Sequence, residues 1–456
     1  MKLIKYICAS LLMVLLFSAC EDDNANNPSF ANDEMPCIYM DWAGTYVYKV
    51  GDIVKFTAQV SPAEGAAFRW LVNDKVVSET PSIEYTVETA EPFTLRFEVE
   101  RNGIKNYRTA QVTVTKDFEA KTYERPVMGV LTVNGNPEQI QWDYITHLMY
   151  SSLTVSDESG SFNKPDATAL AKLKTMLSLA HNNGVYVILD ISGSIVFPAG
   201  SGVYNETAFN NVAANPAKRG QLIAEIKAFV EEYDLDGVNI YMNNLNNDAG
   251  KLQNPDELVA FMNQLGETFP AEREAPRNHF FLTASVPMAW NNSEFYYLGR
   301  VPRLDWVNFM LFGGTDLSPV HHAPDWQIND NIARFTGDAG LPASKIMIGI
   351  GAFGVKYDIP AGVSPTWGNL DQYLSYPTYS EIVKMDTGAP GKDMLSVASG
   401  LYFTGISAPS NSVESKSAIV KDNAAKGMFI WAVDYDTQDA ATSLTQAVFK
   451  QMNPND

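Results

Sequence analysis

The sequence predicts an α/β protein with a small all-β domain in front of it, and three observations carry that reading. Residues 36–117 alternate apolar and polar in short runs separated by turns. From 125 to 452 the pattern becomes apolar strand-like runs alternating with amphipathic helical ones, which predicts parallel strands joined by crossover helices. The first nineteen residues belong to neither domain, being a short apolar run behind two lysines. A chain of 456 residues has room for one large α/β domain and one small one.

In the leader, residues 1–19, Lys2 and Lys5 precede an apolar core, Ile7 to Phe17, that is too short to span a bilayer. It ends in FSAC, with small Ser18 and Ala19 before Cys20, and this resembles a bacterial lipoprotein box. The resemblance implies lipidation at Cys20, an anchor without a membrane-spanning helix. Glu21, Asp22 and Asp23 resemble the surface-export signal of Bacteroidetes lipoproteins, and residues 20–35 read as a polar linker. The expected location is therefore the cell surface, on the outer membrane. The alternative is a secreted protein cut just before Cys20.

Charge and cysteine usage agree with that location. Losing residues 1–19 removes two lysines and no acid, moving the formal net charge from −20 to −22. So acidic a chain repels nucleic acid and anionic lipid, which argues against both as partners, while a neutral glycan is indifferent to the charge. Cys8 lies in the leader and Cys20 is the anchor, so Cys37 is left alone. The five histidines are scattered, and nothing calls for a metal or cofactor.

In the small domain the runs DIVKFTAQV, AAFRWLVN, SIEYTVE, FTLRFEVE and AQVTVT are separated by turns such as SPAEG and RNGIKN, the pattern of an antiparallel sandwich. The segment VGDIVKFTAQVSP…FRWLVNDKVV resembles the polycystic-kidney-disease (PKD) type of immunoglobulin-like domain, with Trp70 as its core tryptophan. A spacer role is the default for such a module.

The large domain reads as eight strands in order. They are VMGVLTV, ITHLMYSSLTV, VYVILDISG, LDGVNIYM, FLTASVPMA, LDWVNFMLFGG, KIMIGIGAFG and GMFIWAVDYD. Helices fall between them, among them Ala169 to Asn182, ended by Gly184, and Arg219 to Tyr233, with Leu222, Ile223, Ile226, Phe229 and Val230 on one face. Four of the strands resemble family patterns of glycoside hydrolase family 18, the chitinase-like barrels. ITHLMYS is similar to "THINYAF", LDISG to "SIGG", KIMIGIGAFG to "KIVLGLPFYG" and GMFIWAVD to "GVMIWELD". The resemblance implies a (β/α)8 TIM barrel with its working residues at the C-terminal strand ends.

The fourth strand carries the functional question. The family motif there is DxxDxDxE, whose last glutamate donates a proton to the glycosidic oxygen. Here Asp236 keeps the first acid, while Asn239, Tyr241 and Asn243 stand at the other three positions. On strand six the family's "MxYD" reads Met310, Leu311, Phe312, Gly313, so the tyrosine and aspartate that support and orient the substrate's acetamido group are Phe312 and Gly313. An amide has no proton to donate at usable pH, so the resemblance implies a pseudo-glycosidase.

What remains suits sugar binding. Trp431 matches the tryptophan that floors the innermost sugar subsite, where an indole stacks on the CH face of a pyranose. Tyr150 matches the aromatic ending strand two. Asn239, Tyr241 and Asn243 supply amides and a phenol directed at the barrel mouth, while Trp290, Trp367 and Tyr373 belong to loops that reach it. Asp190, Asp434 and Asp436 keep a rival open, an endo-acting glycosidase using displaced carboxylates, unless they are loop caps and strand-end acceptors. The favoured expectation is a surface protein that captures N-acetylglucosamine-containing glycans, such as N-glycans or chitin-like oligosaccharides, beside a TonB-dependent transporter. A second rival is a protein–protein docking module of such an uptake complex.

Overall fold

Alternation in the N-terminal runs produces the predicted sandwich. The computed structural model describes residues 35–193, 207–241, 255–287, 298–337 and 340–455. A five-stranded sheet runs in the order Thr45–Lys49, Ile104–Thr115, Phe93–Arg101, Ala67–Val72, Lys75–Ser78, and a second pair joins Ile53–Thr57 to Ser82–Thr86. In Phe93–Arg101 every second side chain from Phe93 to Val99 is buried, the signature of a strand with one face on a core. Trp70 is fully buried in that core, 4.8 Å from the Phe97 ring, and its indole N–H donates to the Pro81 carbonyl. The core tryptophan is as expected.

The large domain is a closed parallel barrel whose eight strands we number by themselves. They are β1 (Val127–Thr132), β2 (His147–Val155), β3 (Tyr186–Gly193), β4 (Gly237–Tyr241), β5 (Phe281–Pro287), β6 (Trp306–Met310), β7 (Ile346–Gly351) and β8 (Gly427–Trp431). Each pairs in parallel with the next, and β8 closes on β1. All eight predicted strands are present. Strand-ends come earlier than the apolar runs because the last apolar residues of several runs turn into the mouth loops.

The barrel helices include α1 (Ala167–Asn182) and α2 (Pro216–Tyr233). The sequence places the start of α2 at Arg219, one turn late. Asn215 caps the helix by accepting from the N–H groups of Ala217 and Lys218, and Pro216 occupies the first turn, where its missing N–H costs nothing.

Between β7 and β8 the chain builds more than the long loop expected there. Gly354–Tyr357, Leu374–Ser375, Met394–Leu395 and Leu401–Phe403 form a four-stranded antiparallel sheet. Strands of two to four residues are too short for alternation to reveal.

Candidate glycan-binding mouth

Strand parity decides which side chains enter the lumen, and they stack in three layers. The N-terminal layer is an aromatic plug, in which the His147 ring lies 4.7 Å from Phe281, 5.2 Å from Trp306 and 5.4 Å from Tyr186. Burial pushes the His147 imidazole down to about 3, so it stays neutral and packs as an aromatic.

The middle layer is a hydrogen-bond chain with a fixed direction. The Trp306 indole N–H, which can only donate, gives to Asn308 Oδ1 at 2.9 Å. Asn308 Nδ2 must then face outward, and it donates to Asn239 Oδ1 and to Ser285 Oγ, both at 3.1 Å. Thr283 Oγ1 also donates to Asn239 Oδ1, at 2.7 Å. That leaves Asn239 Nδ2 to donate to Asp190 Oδ1 at 2.6 Å and to Ser285 Oγ at 3.0 Å. Ser151 Oγ donates to the other Asp190 oxygen at 2.7 Å. Burial raises the Asp190 carboxyl to about 6, although the hydrogen bonds from Asn239, Ser151 and Ser152 favour its charged form.

The third layer is the mouth, and it is aromatic. Trp431, half-buried at the end of β8, has ring centroids 5.7 Å from Phe353, 6.0 Å from Tyr435 and 6.1 Å from Phe312. Phe353 continues the row to Tyr376, 6.3 Å away and 54% exposed. Tyr241 packs half-buried against the same lumen cluster as Met310, Phe312 and Trp431. Lumen glycines on β7 make room for these rings, since a Cβ at Gly351 would lie 2.6 Å from the Phe353 ring. Phe353, Tyr376 and Tyr435 were missed in the sequence, where the Gly-flanked aromatic of GAFG is the one signal that points to them.

The structure corrects several sequence-based placements. Tyr150 is buried and has the opposite parity to Met149 and Ser151, which enter the lumen, so it faces away from the mouth. Asn239 does enter the lumen but at the middle depth, fully buried, with donors and acceptor engaged by its neighbours. It has nothing left to offer a ligand. Asp190 is 1% exposed and spends both oxygens within the network, so it is a lumen acceptor rather than a mouth acid. Asp436, by contrast, is the loop cap that the sequence reading allows: its carboxylate accepts from Ser443 Oγ and from the N–H groups of Thr437, Leu444 and Thr445 at the start of the helix Leu444–Met452.

The remaining expected residues differ in depth and exposure. Met310 is buried in the lumen beneath the aromatic row. Asp434 sits in the turn after Trp431, half-buried, with one oxygen accepting the Asn136 N–H and the other buried without a partner. Trp367 is 65% exposed, and Tyr373 is half-buried just before the inserted strand Leu374–Ser375. Asp236 is at the opposite end of β4, in an ion-pair knot with His181, Arg273 and Arg277. Asn243, Trp290 and Cys20 lie outside the described residues.

With this geometry the comparisons with known proteins can be placed. Residues 121–436 match the family of glycosyl hydrolases family 18. The chain belongs to that family. Residues 36–101 match a PKD-like domain. Among curated relatives of this family 18 protein, chitinase 1 of Aphanocladium album is 24% identical over 58% of the chain and 69% of the relative. Among solved structures, a chitinase from Bacteroides thetaiotaomicron is 21% identical at a TM-score of 0.56, over 72% of this chain and 96% of that one. Human YKL-39, described as a pseudo-chitinase with retained chitooligosaccharide binding properties, is 18% identical at a TM-score of 0.56, over 72% and 99%. At these identities the structural likeness speaks to the fold.

Proposed function

We propose that this family 18 barrel captures neutral oligosaccharides that contain N-acetylglucosamine, such as chitin-like chains or N-glycan cores, and does not cleave them. The observation that supports this most is the pairing of an aromatic mouth, Trp431 with Phe312, Phe353 and Tyr435, with a carboxylate, Asp190, locked below it. Stacking needs the rings and no acid, whereas hydrolysis needs a carboxyl group that reaches the glycosidic bond. Asn239, Tyr241, Asn243, Phe312 and Gly313 replace the groups that the family pattern uses for catalysis. A pseudo-chitinase that retains oligosaccharide binding has the same fold, so the reading asks nothing unusual of it.

Two results together test the proposal. The purified protein should bind chitooligosaccharides yet release no product from them or from N-glycan cores above background. Trp431→Ala should weaken binding by roughly 1–3 kcal/mol, the scale of one buried aromatic contact, in a protein whose melting confirms that it folds. Undiminished affinity in the folded variant would move the ligand elsewhere. The rival rests on Asp434, which follows Trp431 and, among the described residues, keeps one carboxylate oxygen buried without a partner. Hydrolysis lost in Asp434→Asn would establish the rival and overturn the pseudoenzyme.

The same reading includes a lipid anchor at Cys20, a tether through residues 20–35 and the sandwich domain, and a TonB-dependent transporter as the partner that receives the glycan. Cys20→Ala should release the protein from the membrane fraction. Its retention there would remove the anchor from the proposal.

A further inference from the structure

We infer that His322 is a positioning residue of the glycan-binding mouth: the hydrogen bond its ring accepts from the Gly313 N–H holds the turn that sets Phe312 against Trp431. This rests on the glycan-binding reading above. Gly313 follows Phe312 directly and has φ of +80°, so the chain bends right beside the Phe312 ring. His322 returns from nine residues further on and closes a two-bond clamp on that bend. The Gly313 N–H donates to His322 Nδ1 at 3.0 Å, and the Gly314 N–H donates to the His322 carbonyl at 3.1 Å. The same ring lies 5.3 Å from Phe353, which is itself 6.0 Å from Phe312 and 5.7 Å from Trp431. One fully buried side chain therefore supports both the Phe312 turn and the Phe353 ring.

The clamp needs a ring nitrogen that accepts. An accepting Nδ1 puts the proton of the neutral imidazole on Nε2. Burial holds this ring well below the ordinary histidine value, and nearby His321 and Lys416 push in the same direction. Nδ1 is thereby kept unprotonated.

The base of the clamp is fixed on two sides. His321 Nδ1 accepts the Ala323 N–H at 3.1 Å, so its Nε2–H donates to the Phe403 carbonyl of the inserted sheet at 2.9 Å. Lys416, fully buried on the helix Val413–Asp422, donates to the Ala323 carbonyl at 2.7 Å and pairs with Asp325 at 2.8 Å. An acceptor anchored in this way dictates where the Gly313 N–H lies, whereas a mobile one would follow it. Stacking depends on the spacing and tilt of the rings, so a held turn presents the aromatic row already formed and spares the ligand the ordering.

Calorimetry with chitopentaose on the full chain, with thermal melting alongside, separates this role from packing. His322→Phe keeps a ring beside Phe353 and removes the acceptor, so affinity should fall about fivefold, the scale of one net hydrogen bond. His322→Asn gives up the ring but keeps an acceptor near the Nδ1 position, and should recover affinity to within about twofold of wild type. An Asn variant as weak as the Phe variant, or weaker, would reduce the role to packing, and folded variants with undiminished affinity would leave no role at all. Either result overturns the inference and leaves the glycan-binding reading standing, whereas wild-type protein that binds no chitopentaose overturns both. Should His322→Phe not fold, hydrogen exchange on the wild type decides. The Gly313 and Gly314 amides should exchange more slowly at saturating chitopentaose, and unchanged exchange would overturn the inference.

Discussion

The two ends of β4 have been treated oppositely. At its N-terminal end Asp236, fully buried, accepts the Val187 N–H, pairs with His181 at 2.8 Å, and takes Arg277 and Arg273 at 2.8 and 3.2 Å. On the reading proposed above, an amide and a phenol, Asn239 and Tyr241, stand at its C-terminal end where the family pattern has acids. In barrels of this kind the N-terminal face carries stability and the C-terminal face carries chemistry. In the proposed alignment the acid that folding needs is kept, and the positions given to chemistry hold other groups. Asn239 shows how the exchange is accommodated: its Nδ2–H donates to Asp190, where a second carboxylate would bring two acids within 2.6 Å.

The largest effect expected from this contrast is at Asp236. Asp236→Ala leaves Arg273 and Arg277 without their buried counterion, and breaking such a pair costs about 3–5 kcal/mol. Asp234 also pairs with both arginines, so the loss should fall near 3 kcal/mol. Urea unfolding measures it, and glycan affinity should be unchanged in the folded variant. A loss below about 1 kcal/mol would mean that the knot is not what keeps this acid in place.

The next effect is a pH dependence set by Asp190. Its carboxyl is raised from 3.8 to about 6 in the folded state, chiefly by burial, so the native protein holds this proton more tightly than the unfolded chain does. The resulting stabilisation is fully present below about pH 4 and is lost as pH rises through about 6. At roughly 1.4 kcal/mol per unit it amounts to about 2–3 kcal/mol across that window. Asp190→Asn keeps the shape and removes the titration, so the difference in unfolding free energy between wild type and variant should change with pH in that window. A constant difference would show that the network holds Asp190 charged as easily as water does.

How much of this was legible in the sequence varies with depth into the barrel. The eight strands were, because each is an apolar run bounded by turns, and β8 with Trp431 was identified by its motif. Parity along a strand is also readable in principle, and at Tyr150 the pleat overrides the likeness to a family aromatic. The alternation of β2 puts Met149 and Ser151 inside and Tyr150 outside. Asn239 was assigned the right face and the wrong depth. Sequence periodicity tells which side a residue takes, but the height of a lumen layer depends on strand tilt and stagger. The fixed donor direction from Trp306 to Asp190 joins three strands, β6, β4 and β3, and no local pattern encodes it.

The smallest effect is at Gly313, and it sharpens what restoring the family pattern would involve. Gly313 has φ of +80°, a conformation that side chains with a Cβ rarely adopt, although a Cβ would have space, with Phe353 3.6 Å away. Gly313→Asp should therefore cost about 1–2 kcal/mol through the backbone, toward the low end because aspartate tolerates this region better than most residues. Gly313→Ala should cost at least as much, which separates backbone strain from any effect of the new charge. If thermal melting finds both variants as stable as wild type, the turn relaxes and the departure from the family pattern is confined to side chains. If both lose stability, the β6 turn has itself moved away from the geometry that carries an aspartate. On the proposed pseudoenzyme reading, Asn239→Asp, Tyr241→Asp, Asn243→Glu and Phe312→Tyr together would then not bring about hydrolysis, because an aspartate at position 313 would still have no unstrained place to stand.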